Sequence, residues 1–267
     1  MKLARLRSLC TPSADVLIGL RQGLMFGAAA AVLLVPPTSV ASRRSSTVTE
    51  SASATLAPAP APYAHGVRRA DFQDTQPAAT VRTIADWVAD SSDNRGLAFA
   101  VLDKLGARMY VFDRAAKLVG TSMVLLGSAT GDDTPPGVGD KPLSAIRAHE
   151  RITPAGRFVS EPGHDADGND VVWVDYDAAV AMHRVQVIDP KEHRFERITT
   201  PSADDKRISN GCINVPIPFF ETIVRPTLGR ANAIVYVLPE VKPLNQVFSQ
   251  AYDIDSRRAR LGESETL

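Results

Sequence analysis

One short stretch of the sequence combines residue types that could carry out nucleophilic chemistry, and it reads ISNGCIN over residues 208–214. At its centre, Cys212 follows Ser209, Asn210 and Gly211. These neighbours are small or polar, whereas a cysteine in a protein core usually has apolar ones. Glycine before the thiol permits unusual backbone conformations, and the N–H groups of such a turn, at Gly211 and Cys212, can stabilise an oxyanion. The stretch therefore predicts a reactive cysteine.

A thiol needs a nearby base to become a thiolate, and histidine is the usual one. All the histidines precede Cys212, at positions 65, 149, 164, 183 and 193. This order excludes the papain-like arrangement, in which the catalytic histidine follows the cysteine. His65 lies in a region without predicted structure, so we expect the base among the other four.

The elements that must position these residues are mostly strands. Short apolar runs punctuated by Gly and Asp are typical of strands joined by hairpin turns. The predicted strands are Leu97–Asp103, Arg108–Phe112, Lys117–Gly127, Asn169–Tyr176, Ala178–Val187 and Ala231–Leu238.

Two short helices complete the expected domain. Thr80 is a candidate N-cap, and a second helix with the body Phe219–Val224 follows the cysteine. The apolar face of the first helix would comprise Val81, Ile84, Ala85 and Val88. We expect a mainly β domain over residues 81–240 with few short helices.

Composition excludes some function classes. The 30 Lys and Arg residues balance 30 Asp and Glu residues, so no basic field favours binding to nucleic acid. A hydrophobic content of 44% is that of an ordinary globular protein.

The first 41 residues have the pattern of a secretory signal peptide. Basic residues precede the apolar run Leu24–Val35, and Ser39-Val40-Ala41 offers a cleavage site. The alternative is a membrane anchor, but the apolar run is short for a span, so we expect cleavage and no stable membrane insertion afterwards. We therefore expect the protein to be exported to the periplasm or cell wall. Cleavage would remove Cys10 and leave Cys212 as the only cysteine.

Two further segments flank the predicted domain. Residues 42–80 are largely Ala, Ser, Thr and Pro, a composition that predicts a flexible spacer. Residues 241–267 form a polar C-terminal tail.

The cysteine segment resembles the signature of the L,D-transpeptidase (YkuD-like) family. That signature is a His followed, after a dozen or more residues, by Ser/Thr-His-Gly-Cys-x-Arg/Asn; Ser209, Gly211, Cys212 and Asn214 match it. Upstream, Thr153–Phe158 (TPAGRF) is similar to the family's Thr-Pro-x-Gly-x-Phe, and Ser128–Gly131 (SATG) to the turn before it. The resemblance covers residues 97–240 and implies a β-sandwich or barrel.

The resemblance bears on the choice of base. The family places its histidine at the end of a strand, where His183 lies in the run VAMH. His193 has the more usual spacing to Ser209, but it lies in the charged run PKEHRFER, which is typical of a solvated surface. We favour His183 and keep His193 as the alternative base; residues 184–208 would then be an insertion beside the site.

The resemblance also implies a mechanism that requires neither a cofactor nor a metal. Cys212 would attack a peptidoglycan stem peptide at the carbonyl of its third residue and release the terminal D-alanine. Ser209, Asn210 and Gly211 would shape the oxyanion pocket. The backbone carbonyl of Arg184 would orient the imidazole. Asn214 would contact the substrate.

One departure leaves alternatives open. Asn210 stands where the family has its second His, and Asn cannot titrate. A catalytically silent peptidoglycan-binding module of the same fold is therefore one alternative, and an L,D-carboxypeptidase with water as acceptor is another. A sortase-like enzyme is disfavoured because a sortase cysteine ends an apolar strand, whereas Cys212 follows Ser209, Asn210 and Gly211. The Asp-rich stretch 164–170 lacks the spacing of a calcium loop and is better interpreted as a turn.

Overall fold

The computed structural model describes residues 67–264. The predicted signal peptide, Cys10, His65, most of the predicted spacer and residues 265–267 lie outside the described residues. The strands are β1 (Phe99–Asp103), β2 (Arg108–Phe112), β3 (Leu118–Met123), β4 (Leu126–Gly127), β5 (Gly156–His164), β6 (Asp170–Asp175), β7 (Val180–Arg184), β8 (Arg207–Ser209), β9 (Ile213–Val215) and β10 (Ala233–Val237).

The helices are few and short. They are α1 (Ala79–Ser91), α2 (Arg194–Thr199), α3, α4 (Leu244–Val247) and α5 (Ile254–Ser264). Helix α3 runs through Ile217–Phe219, a π-helical turn Phe220–Val224 and Arg225–Leu228. No helix among residues 67–264 is both long and apolar enough to cross a membrane.

Eight strands form one sheet in the order β3-β2-β1-β10-β5-β6-β7-β9, and β4 pairs with β8 in a separate two-stranded sheet. The β1–β10 and β7–β9 pairs are parallel. Leu125, just after β3, exchanges two 2.9 Å backbone hydrogen bonds with Asn214 of β9. This bridge joins the two ends of the sheet, so the sheet is barrel-like and nearly closed. The prediction of a mainly β domain with few short helices is confirmed.

Strands β1 and β10 are buried on both faces because each face has its own apolar cluster. The interior cluster includes Leu102, Met182 and Ile213. The outer cluster lies under α1 and includes Phe99 and Tyr236. All four residues predicted for the apolar face of α1 are buried, as their helical spacing requires.

Several boundaries differ from the predictions. Helix α1 begins at Ala79 with Ala78 as its N-cap, so the prediction of Thr80 as N-cap is wrong; Thr80 lies within the first turn. Strand β5 is absent from the predicted strands, because only Ser160 of its residues is buried and the run contains Gly, Pro and charged residues instead of an apolar alternation. The predicted strand 117–127 is divided into β3 and β4, and Leu125 between them joins the ends of the sheet.

The ends of the domain extend further than predicted. Ala70 and Phe72, which composition assigns to the spacer, are buried in the outer cluster. Phe248 in the predicted polar tail packs into the same cluster, and Ile254 is also buried. The outer face of β1 and β10 therefore recruits apolar residues from both segments.

Candidate active site

The candidate base lies on strand β7, and the candidate nucleophile directly precedes its neighbour β9. In their parallel register Met182 pairs with Ile213 and His183 with Asn214. Met182 and Ile213 point into the interior cluster. Because side chains alternate along a strand, His183 and Asn214 lie on the opposite, outer face.

Cys212 immediately precedes β9, and its thiol lies against β7. The Sγ atom donates a 3.5 Å hydrogen bond to the carbonyl oxygen of Ala179, and the N–H of Ala181 donates to the sulfur. Ala181 is two residues before His183 on the same face of β7. From strand spacing and rise, the backbone positions of Cys212 and His183 are diagonal neighbours about 8 Å apart. Side chains can bridge this separation.

A glycine is required before the nucleophile. Gly211 has φ +131°, a conformation that L side chains rarely adopt. A Cβ atom at this position would lie 2.9 Å from the carbonyl oxygen of Ile152. The backbone of the neighbouring loop therefore approaches the turn too closely for any side chain.

Ser209 stabilises the turn by hydrogen bonds to two of the turn's own backbone groups. Its hydroxyl donates to the carbonyl of Cys212 at 2.6 Å and accepts a hydrogen bond from the N–H of Gly211 at 3.1 Å. The Gly211 N–H is thus already paired, which contradicts the expectation that it would bind an oxyanion. The N–H of Cys212 is the amide of this turn that can take that role.

Thr153, from the Thr-Pro-x-Gly-x-Phe segment, braces the same turn from outside. Its buried hydroxyl donates to the carbonyl of Gly211 at 2.7 Å and accepts from the N–H of Gly127 at 2.9 Å. The carbonyl of Thr153 in turn accepts from the buried ammonium of Lys104 at 3.0 Å. The sequence does not reveal this role, although the resemblance singles out the segment.

The imidazole of His183 has a fixed orientation. Its Nδ1 lies 2.7 Å from the carbonyl oxygen of Arg184, which can only accept a hydrogen bond. The ring proton therefore belongs on Nδ1, and Nε2 is left with a free lone pair. Burial lowers the pKa of His183 below 6.5, and the charge of Arg194 acts in the same direction; the Arg184 carbonyl and Asp165 oppose it. The imidazole of His183 is therefore neutral and can accept a proton.

The thiol is also neutral at rest. Burial raises the pKa of Cys212 above its ordinary value, while the Ala181 N–H and the charge of Arg194 act to lower it. The resting pair is therefore a thiol beside a neutral imidazole rather than a preformed ion pair. Chemistry at this cysteine would need proton transfer to a base.

The side chain of Arg184 points away from the site. Its guanidinium pairs with Glu221 and lies over the ring of Phe220 at 4.4 Å, both in α3. Only its backbone carbonyl reaches the imidazole, so Arg184 contributes to the site through its main chain. Asn210, which stands where the family has a histidine, is partly exposed beside Gly211.

Asn214 does not have the role expected from the resemblance. Its relative exposure is 0%, so it cannot contact a substrate directly. Instead its Nδ2 donates to the carbonyl of Cys212 at 3.3 Å. The expectation of substrate binding is wrong because Asn214 is covered by residues 186–206, which we call the covering segment.

The covering segment places a buried arginine in the site. Arg194 is only 5% exposed, and its guanidinium donates to Asn214 Oδ1 at 2.9 Å and to Glu192 at 2.6 Å. Ile198 packs nearby with Leu125 and Val185. The interpretation of the charged run as a solvated surface is therefore wrong for Arg194. Nothing in the local sequence distinguishes this arginine from its exposed neighbours.

The other histidines lie apart from this arrangement. The side chain of His193 is 68% exposed and lies 3.9 Å from Glu196. His164 is similarly exposed and lies 3.4 Å from Asp170. Neither contacts β7 or Cys212 in the hydrogen bonds and ion pairs of residues 67–264.

The Asp-rich stretch 164–170 forms the turn between β5 and β6, as interpreted from the sequence. Asp165 accepts hydrogen bonds from the backbone N–H groups of Asp167 and Asn169 at 3.0 and 2.8 Å. Within residues 67–264 no three His, Cys, Asp or Glu side chains are grouped so as to hold a metal ion.

Two of the clefts on the described domain are similar in volume. One, of about 570 Å³, lies between β5, β6 and α3 and includes His164, Glu221 and Arg225. The other, of about 580 Å³, includes Tyr176 and Ala178. Neither is lined by Cys212 or His183, but Ala178 adjoins Ala179, whose carbonyl accepts from the thiol.

Comparison with known proteins gives no relative. No family model matches the chain, and no curated protein matches it.

Proposed function

We propose that the protein is an exported L,D-transpeptidase, a cysteine acyl-transferase that acts on peptidoglycan stem peptides. The observation that carries the proposal is that Cys212 directly precedes β9 with its thiol bonded to the Ala179 carbonyl next to β7, while the imidazole of His183 on β7 is oriented by the Arg184 carbonyl. The substrate class rests on the resemblance of residues 208–214 and 153–158 to the family's motifs.

The first half of the reaction forms an acyl-enzyme. Nε2 of His183 takes the thiol proton as Sγ of Cys212 attacks the carbonyl carbon of the third stem residue. The oxyanion is stabilised by the N–H of Cys212. The C–N bond to the terminal D-alanine then breaks, and the leaving amine takes the proton from the imidazolium.

The second half transfers the acyl group. An amine, from a second stem peptide or a protein lysine, attacks the thioester and loses a proton to His183. The C–S bond breaks, and the sulfur regains its proton as the new amide forms. With water as acceptor, the same steps give a carboxylic acid and make the site an L,D-carboxypeptidase.

A specific observation favours a second candidate, the silent peptidoglycan-binding module. Asn210 replaces a histidine of the family signature, and burial raises the pKa of the Cys212 thiol. Such a module would bind stem peptides without forming a thioester.

The test is mass spectrometry of the purified protein incubated with disaccharide-tetrapeptide, beside Cys212→Ala. We expect D-alanine release and a crosslinked or trimmed product with the wild type alone. Cys212→Ala should remain folded because Cys212 is not a fully buried core residue and its thiol donates to a backbone carbonyl, that of Ala179. Peptidoglycan binding by both proteins with neither product nor acyl adduct would establish the silent module instead.

A further inference from the structure

A buried arginine beside a candidate nucleophile needs a physical reason. Transferring a guanidinium from water into a protein interior costs several kcal/mol unless it is paired and hydrogen-bonded. Arg194 has one carboxylate partner, Glu192, whose side chain is 26% exposed. Its other contact is the neutral amide of Asn214, which is directed towards the cysteine.

The hydrogen bonds form a chain that ends at the nucleophile. Arg194 donates to Oδ1 of Asn214, so the amide must present its Nδ2 on the other side. Nδ2 donates to the carbonyl of Cys212, which also accepts from Ser209. The orientation of the Cys212 peptide group is therefore fixed from the covering segment as well as from the turn.

The positive charge of Arg194 lies where it can act on the Cys212 thiol. Asn214 pairs with His183 across the two strands and donates to the carbonyl of Cys212, and the guanidinium bonds to this same Asn214. The other charges that act here are Asp165, which faces His183 from the β5–β6 turn, and Glu192, which partly neutralises Arg194. Arg194 is thus the cation closest to the pair along the hydrogen-bonded chain of the described residues.

We propose that Arg194 is a positioning residue that fixes the Asn214 amide and whose positive charge stabilises the Cys212 thiolate as it forms. The role deepens the proposed function, since it gives a buried, neutral thiol a means of ionising. The charge of Arg194 acts to lower the pKa of the Cys212 thiol against the effect of burial, and it acts on the His183 imidazole in the same direction.

The test measures the ionisation of the thiol and does not depend on turnover. The rate of iodoacetamide alkylation of the Cys212 peptide is followed by mass spectrometry from about pH 6 to 10 in the full chain, a range that spans the ordinary titration of a thiol. Monitoring that peptide separates Cys212 from Cys10. The variants are Arg194→Met, Arg194→Gln and Arg194→Lys, with Arg197→Met as the control on the same helix; Arg197 bonds to the carbonyl of Asp205 and not to the site.

We expect Arg194→Met and Arg194→Gln to move the alkylation profile to higher pH. The rate at neutral pH should fall by about tenfold for every pH unit by which the profile moves, because only the thiolate reacts. The alkylation rate of Arg194→Lys should stay within about twofold of the wild type, because lysine keeps the positive charge. A small difference is expected because the geometry of lysine suits the site less well. Arg194→Gln can still donate to Asn214, so a displaced profile in this variant is assigned to charge. Arg197→Met should leave the profile unchanged.

Two results would overturn the proposal: a profile of folded Arg194→Gln that coincides with the wild type, or an equal displacement in Arg197→Met. If Arg194→Met does not fold, the Gln and Lys variants still decide. The outcome is independent of the proposed function, since alkylation reports on the thiol whether or not stem peptides are substrates.

Discussion

The turn that carries Cys212 and the covering segment meet at the same site but are built in different ways. In the turn, residues 208–214, hydrogen bonds from Ser209 within the turn and from Thr153 outside it occupy backbone groups of Gly211 and Cys212. The covering segment instead exposes some of its apolar side chains and buries two of its charged ones. Val187 and Ile188 are exposed, whereas Arg194 and Lys206 are buried.

The buried cations of the covering segment have mainly polar, uncharged partners. The ammonium of Lys206 donates to the carbonyls of Arg197 and Thr200, and so ties the end of α2 to β8. Arg194 reaches across to Asn214. The comparison teaches that the turn fixes the geometry of the thiol, whereas the covering segment sets the electrostatic environment around it. Paired variants in the two regions should separate these contributions.

The largest expected difference concerns the base. His183→Ala should lower the rate of D-alanine release by about 10²- to 10⁴-fold, the usual contribution of a general base. His193→Ala, in the covering segment, should leave it within about twofold. Steady-state kinetics with disaccharide-tetrapeptide measures both. A loss confined to His193→Ala would reassign the base to the covering segment.

The next effect concerns the backbone of the turn. Gly211→Ala should lower the free energy of unfolding by about 3 kcal/mol, because it adds a close contact with Ile152 to the strain of a positive φ. Gly168→Ala is the matched control: it has φ +81° but open space around its Cβ position, so about 1 kcal/mol is expected. Urea titration measures both. Equal losses would mean that the close approach of residue 152 does not constrain the turn.

These two pairs indicate which parts of the site are predictable from sequence. A reactive cysteine in residues 208–214 is predictable because the evidence for it, a glycine and small polar residues directly before the thiol, lies in neighbouring residues of the sequence. The strand position of His183 also follows from a local pattern, the apolar run before it. A mainly β domain is predictable for the same reason, since alternation and turn residues are local.

Other features depend on residues brought together from distant parts of the chain. The burial of Arg194 depends on Asn214, 20 residues away, and the brace by Thr153 joins positions 58 residues apart. Strand β5 escapes prediction because its neighbours β10 and β6, rather than its own composition, make it a strand.

A smaller effect is expected from the brace itself. Thr153→Val keeps the shape of the side chain but removes the hydroxyl, which leaves the Gly127 N–H and the Gly211 carbonyl without that partner. The free energy of unfolding should fall by about 2 kcal/mol, the cost of buried groups left unpaired. Thr199→Val in the exposed part of the covering segment should change it by less than about 0.5 kcal/mol. Thermal unfolding followed by circular dichroism measures the difference, and similar values for the two variants would contradict a bracing role.

The smallest effect is a dependence of stability on pH. Burial lowers the pKa of His183 in the folded state below the ordinary value of 6.5, which the unfolded chain retains. The unfolded state therefore binds the proton more readily, so the contribution of His183 to stability is present above pH 6.5 and is lost as the pH falls from there through the folded pKa. The slope that one such proton can contribute is at most about 1.4 kcal/mol per pH unit.

Urea unfolding from about pH 7.5 to 5 should show a shallower decline for His183→Gln than for the wild type, because the variant has no imidazole to protonate. His193→Gln, at a side chain that is 68% exposed, should follow the wild type. A wild-type slope retained in His183→Gln would mean that the imidazole on β7 ionises as freely in the folded protein as in the unfolded chain. The turn would then lack a base that stays neutral at acidic pH.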